Sequence, residues 1–235
     1  ILAYLNSDDL YLPGAISVTV NAFNENPDVD LVYGDCIYID KNGLEIMEVT
    51  HGQPFELNQF LLGRVGVIQQ TAFWRKRVSH TIGTFDGTLH YVMDIDYWLR
   101  IVVNGFKPLY VPGERAAYRL HSESKTVSQV ENFWADWDKM IKKLYGMPNL
   151  PPEIVHMRSK RQKTYWRLYT VLGAWELGFR SELRRPLRKI IVGPVPFSHR
   201  LLASLMYVDS FLHTSFNKYA VNLFKKLKAV SGKTF

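Results

Sequence analysis

Apolar and polar positions change period several times along the chain, and each change marks an element. Residues 1–5, ILAYL, are a continuous apolar run, the pattern of a short strand buried on both faces. The polar NSDD at 6–9 then reads as the loop at its carboxyl end. Pro13 suits the first residue of a helix, and GAISVTVNAFNENP continues as one until Pro27. VDLVYGDCIYID is rich in β-branched and aromatic residues, and DKNG turns it back into LEIMEV, a hairpin. GVIQQTAFW predicts another strand. In MDIDYWLRIVVNG the apolar positions Ile95, Trp98, Leu99, Val102 and Val103 fall at helical spacing, and Gly105 supplies the stop. FKPLYV and RAAYRLH predict two strands around a turn at Pro112-Gly113.

The pattern changes character beyond this point. SQVENFWADWDKMIKKLYG opens with a capping box, Ser128 to Glu131, and closes on Gly146. Its aromatic stripe Phe133, Trp134 and Trp137 is spaced to pack into a core. MPNLPPE reads as a linker, placing boundaries at 1–146, 147–152 and 153–235. The last region predicts helices alone, over about 153–179, 182–192, 198–214 and 216–229. Neither an internal repeat nor a low-complexity segment is present.

Charge sharpens that division. Residues 1–155 carry 13 Lys or Arg against 19 Asp or Glu, whereas residues 156–235 carry 16 against 3. Halves of opposite sign point to two units with different surroundings. A basic helical surface can lie on an anionic membrane face or be an ordinary solvated face; nucleic-acid binding has no motif behind it. An apolar content of 47% and a charged content of 22% are ordinary for a globular protein. The single cysteine, Cys36, excludes a disulfide framework within the chain and suits a reducing, cytoplasmic setting. Uninterrupted apolar runs stay below the roughly 18 residues of a spanning helix, so membrane contact is expected at most at the inner face, peripherally.

Several residues could carry chemistry. Adjacent Asp8 and Asp9 repel each other and call for nearby positive charge: a metal ion, a basic side chain or a helix N-terminus. Loops at the carboxyl ends of strands are where open α/β sheets bind ligands, and Mg²⁺ is typically held by one or two carboxylates with substrate phosphates. Alternatively, one aspartate caps the following helix and the other is solvated. Asp94 and Asp96 open the MDIDYWLRI helix, where aspartate is favoured by free N–H groups and the dipole. They point about 200° apart, so one can face a cleft as general base while the other caps or pairs. Arg119 and His121 alternate onto one face at a strand end, a constellation suited to phosphate or to a surface pair. Gln69 and Gln70, in an otherwise apolar segment, need partners for any buried amide.

Five motifs, in this order, resemble the second half of a family 2 glycosyltransferase with the GT-A fold: AYLNSDDLYLPGA, VYGDCIYID, VIQQTAFWRKRV, GTFDGTLHYVMDIDYWLRI and AYRLHSESKT. The resemblance covers about residues 1–146. It implies an α/β, Rossmann-like nucleotide-diphospho-sugar transferase domain lacking its N-terminal nucleotide-binding half, followed by an all-α basic tail. NSDD matches the DXD-type motif, making Asp8 and Asp9 the metal ligands for Mg²⁺ or Mn²⁺ on a nucleotide-sugar diphosphate. Asn6 stands where many members have a first aspartate. Asp94 falls on the position of the catalytic base, with Met93 in place of the usual glutamate. Asp96 and Trp98, with Gln69 and Gln70, fall where an acceptor pocket is shaped. YRLH matches a late motif, making Arg119 and His121 the diphosphate-binding pair.

The expected activity is therefore inverting, metal-dependent transfer of a hexosyl-type sugar from a nucleotide-sugar donor to a saccharide or lipid-linked acceptor hydroxyl. Cell-envelope polysaccharide or glycolipid synthesis is the expected setting. The chain begins at Ile1, inside an apolar run and without methionine, so a preceding segment is expected and the piece alone should be inactive. The rival expectation is a non-catalytic binding or scaffold module that retains the fold, favoured by Asn6 and Met93.

Overall fold

A computed structural model describes residues 1–50, 52–61, 65–120, 130–147, 150–152, 155, 167–168, 170–172, 175, 180–193 and 195–212. The chain divides into two units, Ile1–Ser124 with Ala135–His156, and Lys125–Trp134 with Met157–Phe235. Residues 147–152, expected as a linker, are counted with the first unit.

The first unit is mixed α/β. Its elements are β1 (Leu2–Ala3), β2 (Leu10–Tyr11), α1 (Ala15–Glu25), β3 (Leu31–Ile39), β4 (Glu45–Thr50), α2 (Leu57–Leu61), a 3₁₀ turn (Gln69–Thr71), β5 (Phe73–Trp74), α3 (Lys76–Ile82), α4 (Met93–Val103) and β6 (Pro108–Arg119). Helix α5 (Val130–Leu144) follows, and its part from Ala135 belongs to this unit. The sheet runs β1-β5-β3-β6-β2, with β4 also on β3. Among the described strands, β3 and β6 pair in parallel and the other pairs are antiparallel.

Strand β3 is central because both its faces are apolar, and Leu31, Val32, Tyr33 and Cys36 are fully buried. Val32 joins Ala22, Phe23, Val29 and Phe73 in one cluster under α1. A second group stacks edge-on: Trp74 on Tyr97, Trp98 and Phe85, with ring centroids 5.3–5.8 Å apart.

β1, within ILAYL, takes the sheet edge; its partner among the described strands is β5, and Ile1, Leu2 and Tyr4 are exposed, as a strand of this apolar pattern must be when a neighbour on one side is lacking. Three local expectations change. Helix α1 starts at Ala15 rather than Pro13, because Gly14 (φ 84°) turns left-handed just before it. GVIQQTAFW is a 3₁₀ turn ending in a two-residue strand, since its glutamine amides are used elsewhere, as described below. FKPLYV and RAAYR form one strand, β6, and Pro112-Gly113 is a bulge where its register on β3 shifts. Buried Asp35 on β3 anchors that bulge, accepting the Gly113 N–H (2.7 Å), the Tyr110 hydroxyl (2.7 Å) and the Gly52 N–H (2.6 Å).

The hairpin at Asp40–Leu44 and helix α4 form as the pattern predicts, each with a left-handed glycine, Gly43 and Gly105, at its turn. In α5, Trp134 and Trp137 are buried and Phe133 is partly so. Ser128, the expected cap, lies outside the described residues, as do most of 153–179 and all of 216–229. In the second unit the described helices are α6 (Arg184–Val192) and α7 (Phe197–Leu212), close to two of the expected spans.

Candidate active site

The NSDD loop joins the two sheet edges, since β1 and β2 stand at opposite ends of the strand order. A link of this kind has no sheet of its own to fix it, and three outside partners do so. Gln69 donates to the Tyr4 carbonyl and accepts from the Asn6 side-chain amide (3.2 Å). Gln70 donates to Asp9 Oδ2 (2.8 Å), and Asn6 donates to the same oxygen (2.8 Å). From the end of β6, the Arg119 backbone N–H donates to Asp9 Oδ1 (2.9 Å). The Arg119 guanidinium bonds the Asp8 carbonyl (2.9 Å) and the Asp40 carbonyl (2.7 Å).

Asp9 is thus a 4% exposed carboxylate satisfied by two side-chain amides and one backbone N–H. Its charge is stabilised by directed neutral donors, as a buried carboxylate requires. Asp8 beside it is exposed. The two aspartates therefore differ: Asp9 is buried and fixes the loop, whereas Asp8 is exposed. A hard cation could take one or both of these carboxylates, and one carboxylate with phosphate oxygens suffices for Mg²⁺. Among the described residues, no three of His, Cys, Asp and Glu gather into a metal cluster.

Gln69 and Gln70 are buried clamps on this loop. The physical reason is that a glutamine amide in the core must spend its donors and acceptors on partners, and the loop supplies them.

Asp94 and Asp96 have the divergent fates that helix geometry requires. Asp96 is fully buried, bonded to Arg100 Nε (2.7 Å) with Lys143 Nζ 3.3 Å away. Arg100 also donates to the Ile82 and Thr84 carbonyls, so the pair ties α4 to the end of α3. Trp98 is fully buried in the aromatic group, and its indole N–H has no hydrogen-bond partner among the described residues. Asp96 and Trp98 both lie on the inward face of α4. Asp94 is partly buried in the first turn, where its carboxylate accepts the Ile95 N–H (2.9 Å). Burial pushes its carboxyl up from 3.8 to about 6.

No hydrogen bond joins Asp94 to the NSDD loop among those described, but their supports touch. Tyr97, on the same helix, packs on Phe85 (4.7 Å between centroids), and Phe85 packs on Tyr4 (5.5 Å) where the loop begins. Phe85 was not singled out by the sequence; its only signal is a lone aromatic within GTFDG. Lys143 is a second such residue, bonded to Asp86 (2.7 Å) as well as near Asp96, which holds the Asp86 carboxyl well below its usual range. His121 lies outside the described residues.

No family model matches the chain. Over 133 residues it is 20% identical to an uncharacterized glycosyltransferase of Methanocaldococcus jannaschii, a match covering 55% of this chain and 45% of that relative. The chain thus spans about half the length of the curated relative it matches. The class indicated is glycosyltransferase, at the level of a distant relationship. No helix among the described residues is long and apolar enough to cross a membrane.

Proposed function

We propose that residues 1–146 are the metal-binding and acceptor-activating part of an inverting glycosyltransferase of the GT-A, family 2 type. Asp94 removes the proton from an acceptor hydroxyl as its oxygen bonds to the anomeric carbon of the donor. The bond from that carbon to the diphosphate oxygen breaks on the opposite side, inverting the configuration. Asp8, on the loop that Asp9 fixes, would hold a divalent metal, whose chemistry is to neutralise charge on the departing nucleoside diphosphate. Arg119 adds positive charge at the same loop, and His121 two residues on completes the diphosphate-binding group. The acceptor is a saccharide or lipid-linked hydroxyl.

The observation that carries this reading is the Asp94 carboxyl, raised by burial to about 6 on a helix whose aromatic contacts lead to the NSDD loop. A base is most useful when its pKa lies near the working pH, and an aspartate that merely caps a helix gains nothing from desolvation. The deciding experiment is Asp94→Asn in the full-length protein. Transfer should fall by roughly 10²–10⁴-fold with donor binding preserved, and a loss below about tenfold removes Asp94 from the role.

A second reading, a non-catalytic module retaining the fold, is favoured by Asn6, whose amide donates to Asp9 where a further carboxylate would add metal-binding charge. It predicts donor binding that is indifferent to Mg²⁺ or Mn²⁺ and no glycosyl transfer by the full-length protein.

A further inference from the structure

Helix α7 is built inside out. Its inward face, besides Leu202, Ala203 and Met206, buries three polar residues, His199, Asp209 and Ser210. Two of these are bound by arginines ahead of and at the start of α6: Arg180 pairs with Asp209 (3.0 Å), and Arg184 bonds the Ser210 hydroxyl (3.2 Å) and carbonyl (2.6 Å). The outward face carries Phe197, Leu201, Leu205, Val208 and Phe211, exposed by 79%, 50%, 37%, 54% and 54%. At 100° per residue these five fall within an arc of about 120°, opposite the buried set. They form one stripe, about 21 Å long at 1.5 Å per residue. Exposed apolar residues scattered singly are ordinary, whereas five aligned on one face mark a surface that leaves water.

The flanks indicate what takes the place of water. The Arg184 guanidinium lies over the Phe211 ring, 4.0 Å from its centroid, at one end of the stripe. Exposed Arg200, bonded to the Gly193 carbonyl, lies at the other. Helix α6 adds exposed Arg185, Arg188 and Lys189, and a further exposed apolar residue, Val192. Six basic residues stand against two acidic ones over positions 180–212. Apolar residues bordered by arginines match the acyl boundary and anionic headgroups of a bilayer. The inward face of α7 is held to the protein, with Asp209 paired to Arg180 and the Ser210 carbonyl bonded by Arg184, so the stripe meets an interface from one side only.

We propose that the Phe197–Phe211 stripe of α7 docks on an anionic membrane surface, with Arg184 and Arg200 at the headgroups. This specifies the peripheral membrane contact that the basic charge left open, and it stands independently of the transfer reading.

Flotation of the whole chain with vesicles tests it. Wild type should float with vesicles of phosphatidylcholine and phosphatidylglycerol in a 7:3 ratio, and about tenfold less with phosphatidylcholine alone. Leu205→Glu with Val208→Glu, both on exposed positions, should lower the bound fraction about tenfold or more while circular dichroism stays unchanged. Failure of the wild type to float with anionic vesicles overturns the proposal without reference to any variant. Equal binding by the double variant overturns the role of the stripe. A wild-type dimer by light scattering that the double variant makes monomeric, with no flotation, assigns the stripe to a second copy instead.

Discussion

Replacing Asp94 by asparagine should make the protein more stable and less active at once, and the size of the first effect follows from the structure. The Asp94 carboxyl is raised from 3.8 to about 6 because partial burial penalises its charged form. Such a rise costs the folded state about 3 kcal/mol once the group is ionised, and partial solvent exposure reduces this to about 1–2 kcal/mol. The sign follows from linkage: a raised carboxyl disfavours folding above about 6 and has no effect below its unfolded value of 3.8. Wild-type stability should therefore lose this amount as pH rises between those limits, and Asp94→Asn should not. Asparagine still offers an oxygen to the Ile95 N–H, so the helix start is kept. The measurement is urea unfolding of both proteins from pH 4 to 7.5, reading their difference so that other titrating groups cancel. The variant should gain about 1–2 kcal/mol at pH 7.5 and nothing near pH 4. In the full-length protein the same residue should give a rate that falls below about pH 6. A difference independent of pH, or a variant less stable at pH 7.5, would refute the argument from burial.

Asp8→Asn and Asp9→Asn should separate the two halves of the aspartate pair: the first should leave stability within about 0.5 kcal/mol while abolishing metal-dependent turnover of the full-length protein. The second should cost about 1–3 kcal/mol in urea unfolding, because an amide would face the donors of Asn6, Gln70 and Arg119. Asp96→Ala should cost about 3–5 kcal/mol by leaving Arg100 buried and unpaired. The Cys36 thiol, buried and pushed up to about 12, should resist iodoacetamide in native protein and react on unfolding.

The elements that the hydrophobic pattern predicts correctly are those whose own residues decide their shape. Helix α4 has its apolar face and its stop glycine in sequence, and the β3–β4 hairpin has its turn in DKNG. Where a distant partner decides, the pattern misleads. Gln69 and Gln70 break their strand because the loop near Tyr4 and Asp9 needs their amides. Pro112-Gly113 carries turn residues, yet Asp35 lies beside it on β3 and fastens it as a bulge. The candidate site divides the same way. That Asp94 and Asp96 cannot share one task follows from helical spacing, but which of them goes inward depends on Arg100 and Lys143. That Asp8 and Asp9 need compensation follows from their adjacency. The actual donors to Asp9, two amides and a backbone N–H, depend on positions up to 110 residues away.

The Gln69-Gln70 turn has a consequence for how far a four-letter motif can be trusted. NSDD owes its shape to a pair of glutamines more than sixty positions downstream and to the backbone of Arg119. Grafted into another loop without them, the same letters would be two repelling aspartates on a floppy tether. Conversely, a natural chain that keeps NSDD but has lost both amides should be expected to have changed trade. The informative word is therefore a discontinuous one, Asn6, Asp9, Gln69, Gln70 and the end of β6 read together, and a search built on that spacing would separate working copies of the loop from accidental spellings.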